Sequence, residues 1–172
     1  MIQLNNIWKN RSIPMELKIK LLKILVWPVL LYGCEAWTLR KTDEAKINAA
    51  EMWFYRRLLR ISYTEKRTNK SILEELNVSN NLVNIIQQRK LGYLGHTIRN
   101  SRCVIMKAVS QGKMEGKRKR GRPSTSYYMD NITKLTEATA TTVYRLGEDR
   151  QKWKEFVREV MSATINTDDA DR

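Results

Sequence analysis

Two clusters of residues carry types and spacings that can do chemistry, and in both the chemistry is the holding of negative charge. Lys117, Arg118, Lys119, Arg120 and Arg122 fall within the nine residues 116–124, around Gly121 and Pro123. Five cations meeting five phosphates would give a log–log salt slope of about −4.5, enough to dominate a non-specific affinity. The second cluster emerges only on a helical wheel, where Trp53, Arg56, Arg57 and Arg60 share one flank. An indole beside three guanidinium groups can stack a base and fork onto phosphates. The same four residues also suit a helix edge, with the tryptophan trimming a core and the arginines solvated. His96, with Arg99 one turn later, is either a structural histidine or a further phosphate anchor.

The chemistry of bond making is missing. The one adjacent aspartate pair, Asp168 and Asp169, is flanked by Asn166, Thr167 and Ala170 near the end of the chain rather than by the hydrophobic strands of a metal-binding hairpin. A single histidine and two distant cysteines, Cys34 and Cys103, assemble neither a four-ligand zinc site nor a disulfide framework. There is no Gly-x-Ser-x-Gly elbow and no phosphate-cradling glycine loop. Neither a metal nor a cofactor is therefore expected, and binding chemistry remains. For the 116–124 loop three readings stay open: a solvated linker, general phosphate contact, or an AT-hook. In the last, glycine lets the backbone approach the groove floor, proline keeps it extended, and the arginines lie along the narrow minor groove of A·T-rich DNA.

The elements that must position these residues read as helices. Apolar residues recur at spacings of three and four with no convincing strand, so the expected fold is all-α: a small irregular helical bundle with a basic linker and a C-terminal helical piece. With 172 residues and 42% apolar content the chain can bury a core, and its formal charge of +14 favours a polyanionic partner. Eight cations against two acids fall in residues 101–130, whereas residues 131–172 are close to neutral. Ser12, Pro14 and Glu16 signal a helix start, and Pro28 should end or kink that helix. The segment "PVLLYGCEAWTL" reads as buried. Thr42 or Asp43 should cap a helix whose inner stripe is Ile47, Ala50, Phe54, Leu58 and Ile61. Another helix, opened by Ser79 or Asn80, should turn Leu82, Ile85, Ile86 and Tyr93 inward, with Gly92 and Gly95 either breaking it or admitting a closely packed neighbour. These signals divide the chain into a helical body at 1–110, a basic Gly/Pro linker at 111–125, a helical extension at 126–162 and a disordered acidic tail at 163–172. The longest apolar run, Ile24 to Cys34, is too short to span a bilayer and the N-terminus has no apolar signal core, so a soluble, unsecreted chain is expected, with no membrane partner.

In order, "WPVLLYGCEAWTL", "MWFYRRLLRIS", "RKLGYLGHTIRN", "GKRKRGRPS" and "GEDRQKWKEFV" resemble the region after the polymerase palm in endonuclease-reverse transcriptases of LINE-type retrotransposons without long terminal repeats. The resemblance runs from about residue 13 to residue 160. It implies a helical thumb with a C-terminal extension, holding RNA-DNA hybrid or target DNA beside the rest of the reverse transcriptase, in a nuclear setting. Tyr32, Gly33, Glu35 and Trp37 would be a thumb packing motif, and Arg56, Arg57 and Arg60 a helix facing nucleic acid. Gly95, His96 and Arg99 would be the Gly-His-x-x-Arg signature, and Asp149, Arg150 and Trp153 would begin the last helix. The family's polymerase aspartates and endonuclease are absent, so Mg²⁺ is expected only for the missing palm. Where the family continues with basic residues and a tryptophan after Gly-Arg-Pro, this chain has Ser124, Thr125, Ser126, Tyr127 and Tyr128.

Overall fold

The structure is a computed structural model that describes residues 5–78, 81–111 and 127–170. It is all-α, with no strand among the described residues. The elements are α1 (Asn5–Lys9), α2 (Met15–Leu21), a π-helical turn (Leu22–Val26), α3 (Trp27–Leu30), a 3₁₀ turn (Cys34–Ala36), α4 (Lys41–Leu59), a second 3₁₀ turn (Tyr63–Glu65), α5 (Asn69–Leu76), α6 (Leu82–Arg99), α7 (Val104–Gln111), α8 (Tyr127–Thr136), α9 (Ala140–Glu148) and α10 (Arg150–Ala170). No helix among the described residues is long and apolar enough to cross a membrane.

The chain folds into two compact units. The first takes the described residues up to Gly33 together with Arg40–Ile85; the second takes Cys34–Leu39 and the described residues from Ile86 onward. This division falls inside α6, and the basic linker expected at 111–125 lies from residue 112 outside the described residues. The physical reason is that α6 carries apolar side chains far past Ile85, and its later turns form part of the second core.

In the first unit, Pro28 neither ends the helix nor stands outside it. A prolyl ring removes one amide and crowds the carbonyl four residues back, and the wider π turn over Leu22–Val26 absorbs that defect, so the helical path continues into α3. The following segment is not uniformly buried: Leu31 and Cys34 point inward, whereas Val29 and Tyr32 are exposed. In α4 the buried side chains are Glu51, Met52, Tyr55 and Leu58, so the inner stripe is rotated from the expected one, and Ile47, Ala50 and Phe54 lie at its margin. A carboxylate explains the rotation. Glu51 accepts the Tyr55 hydroxyl at 2.9 Å and the Leu82 amide at 3.0 Å, so its burial satisfies a buried phenol and the first amide of α6. Burial and the adjoining carboxylate push the Tyr55 phenol far above its ordinary range. Trp27 meets Phe54 and Tyr55 edge-on, at centroid distances of 5.3 and 6.4 Å. Capping is local: Asp43 accepts the Arg40 amide, Thr68 accepts from Ser71, and Asn81 accepts from Asn84.

The second unit is built on α6, whose Leu91, Leu94 and Ile98 join Met129, Ile132, Val143 and Trp153 in one buried cluster. Its helix is unbroken at both glycines. A Cβ at Gly95 would stand 2.2 Å from Trp153 Nε1, so only glycine leaves room for the indole, which donates to the Leu91 carbonyl at 3.1 Å. Gly147 gives Ile98 the same access, and Arg99 donates to the Gly147 carbonyl at 2.9 Å. The Gly-His-x-x-Arg and Gly-Glu-Asp-Arg segments are thus packed on each other. Tyr93, expected inside, is 40% exposed. The tail differs as well: α10 continues to Ala170 where a disordered segment was expected from 163, and no glycine or proline after Gly147 interrupts it.

Candidate nucleic-acid interface

The C-terminal half of α4 and the turn after it form an open groove of about 880 Å³ in the first unit, lined by Trp53, Arg56, Arg57, Arg60, Ile61, Ser62, Thr64, Lys66 and Arg67. Five of the nine side chains are cationic and none is acidic. The groove exists because α4 stops sharply: Arg60 takes a left-handed backbone, φ 58°, and its amide closes on the Arg56 carbonyl. Ser62 and Glu65 then pin the 3₁₀ turn, the Glu65 carboxylate accepting the Ser62 amide at 3.0 Å, and Lys66 takes a second left-handed conformation, φ 44°. Side-chain-bearing residues pay of order 1 kcal/mol or more for such backbone, and here both end a helix, as Asn77 and Glu137 do elsewhere in the chain.

The cations are held differently. Arg56 donates to the Arg67 carbonyl at 2.7 Å and to Asn69 Oδ1 at 3.0 Å, tying α4 to the start of α5. Arg60 donates to the Lys9 carbonyl, and Arg67 is paired with Glu75 and Ser71. Those three are braced, with guanidinium donors left over from their fixed forks. Arg57 lies over the Trp53 ring, 5.5 Å from its centroid, and Trp53 remains 51% exposed, with its edge on Phe54 at 5.1 Å. Lys66 stands exposed at the groove's rim. The arrangement can place an aromatic face and a row of fixed donors along a phosphate chain. No group of three or more potential metal ligands occurs among the described residues.

The four residues read from the helical wheel, Trp53, Arg56, Arg57 and Arg60, are brought together here. Ser62, Thr64, Lys66 and Arg67 were missed; the signal was available in the capping pattern Ser62-x-x-Glu65 before Thr68, which returns the chain towards α4. His96 and Arg99 belong to the second unit, His96 exposed and Arg99 fixed on Gly147. Lys117, Arg118, Lys119, Arg120 and Arg122 lie outside the described residues.

An all-α chain with a basic, aromatic groove is what the fold and the site define. Over 87 residues, 49% of this chain, the sequence is 31% identical to an uncharacterized transposon-derived protein of Caenorhabditis elegans, and the match spans 31% of that relative's length. The chain is thus similar over about half its length to a transposon-derived protein. No family model and no solved structure matches.

Proposed function

We propose that the chain is a non-catalytic nucleic-acid-binding segment of a retrotransposon reverse transcriptase, gripping an RNA or DNA strand in the Trp53 groove chiefly through phosphates. The observation that carries the reading is the acid-free lining, five cations around a half-exposed indole. The order of five motifs shared with post-palm regions and the likeness to a transposon-derived protein support the finer assignment. On this reading nucleotide incorporation and its Mg²⁺ belong to a palm elsewhere in a longer protein, and the partners are nucleic acid and that palm. A stand-alone AT-hook module, using residues 117–122, and a helical protein-interaction module are the rivals.

Fluorescence titration of the chain against single strands, RNA-DNA hybrid and A·T-rich duplex at several salt concentrations tests it. Arg57→Ala combined with Lys66→Ala should weaken binding and reduce the salt slope by about 2. An unchanged slope in the double variant, with Arg120→Ala and Arg122→Ala abolishing a preference for A·T-rich duplex, would transfer the function to the loop.

A further inference from the structure

The described glycines have reasons inside the fold, with one exception. Gly33 has a positive φ of 68°, Gly95 seats Trp153 and Gly147 admits Ile98. Gly92 sits in the middle of α6 in ordinary helical conformation, exposed, and a Cβ built on it would meet nothing within 4 Å. Glycine there weakens the helix relative to alanine, and nothing within the fold offsets that cost.

Its surroundings point outward. At 100° per residue Arg89, Gly92, Tyr93, His96 and Arg99 fall within a third of the helix circumference, and all five are exposed. The sequence contains no acidic residue from Leu76 to Met114, so no carboxylate on this helix opposes an anion. Arg99 is anchored through one guanidinium nitrogen to Gly147, which fixes the remaining donors in place. Arg89 lies close enough to the Cys34 thiol for its charge to act on it. Tyr93 offers 40% of its surface beside the glycine.

We infer that this face of α6 is a second nucleic-acid contact, at which a sugar–phosphate backbone lies directly against the helix at Gly92, flanked by Arg89, Arg99 and His96. A missing Cβ admits such an approach, and a helix face that carries no acid of its own, with Arg99 fixed in place, suits a polyanion rather than an apolar partner. The inference extends the nucleic-acid reading above and rests on it, but it concerns a surface in the other unit.

The test is Gly92→Ala in the full chain. If nothing approaches the helix, alanine only strengthens it. If a backbone lies there, alanine also obstructs it. The expected result is a melting temperature raised by about 2–4 °C together with nucleic-acid binding weakened about fivefold or more, the lower end of what an overpacked contact costs. His96→Glu, which puts an acid on an exposed position without a packing role, should weaken binding in the same direction and should do so less at high salt. Raised stability with unchanged affinity in Gly92→Ala, and unchanged affinity in His96→Glu, would overturn the inference. If the Arg57 and Lys66 variants still lose binding in that case, the groove stands and only this second contact falls. If wild-type chain instead binds an acidic peptide and no oligonucleotide, both readings fall.

Discussion

Trp53 and Trp153 are the same residue in two opposite circumstances. Each stands on an amphipathic helix near basic residues, yet Trp53 is half-exposed under Arg57 and Trp153 is buried against α6 with its N–H satisfied by a carbonyl. Exposure of a large indole costs solvation that a purely structural role would avoid, whereas burial with a satisfied donor is what a core asks for. The difference separates an indole left accessible on the surface from one committed to a core, although their sequence contexts look alike.

Removing the rings should break the comparison most visibly. Trp153→Ala empties the centre of the second core and removes the indole's bond to the Leu91 carbonyl, so it should cost about 3–5 kcal/mol in denaturant unfolding. Trp53→Ala should leave unfolding within about 0.5 kcal/mol of wild type, as for other exposed positions. It should instead weaken single-strand binding by about 1–3 kcal/mol if a base stacks on the ring, measured by titration at fixed salt. A Trp53 variant that unfolds easily and binds normally would erase the distinction.

The smallest effect concerns the cap that sets Trp153 in place. Asp149 accepts the amides of Gln151 and Lys152, the first at 2.8 Å, and these bonds hold its carboxyl below the usual value of 3.8. With the folded-state value depressed, the cap contributes above the unfolded value and is lost as pH falls through the lower folded one. The melting temperature of wild type should therefore drop relative to Asp149→Asn below about pH 4, since asparagine caps without titrating. Parallel pH curves would show that the cap does not feel the carboxylate.

Much of the fold was legible because helical periodicity is local. The flank Trp53, Arg56, Arg57 and Arg60 could be placed from spacing alone, and Gly95 was recognised as either a break or a close approach, of which the structure shows the second. What escaped depends on partners distant in sequence. Glu51 reads as a surface carboxylate until Tyr55 and the first amide of α6 require an acceptor, and its burial turns α4 away from the stripe that apolar residues alone suggest. Tyr93 reads as core by residue type, yet it faces out because Leu91 and Leu94 already fill the buried side of α6. The groove's second wall needed the chain reversal after Arg60, a matter of two left-handed residues that are not glycine.

The short segment Cys34–Leu39 belongs with residues that follow it by half the chain, and Leu39 gives its carbonyl to the Asn131 side chain at 3.1 Å. Because that strap lies in sequence between the two stretches of the other unit, a single scission after Ile85 keeps the first unit whole but strands Cys34–Leu39 away from the rest of its own unit. Inheritance by recombination meets the same asymmetry, since moving the second unit intact requires carrying Arg40–Ile85 of the first along with it.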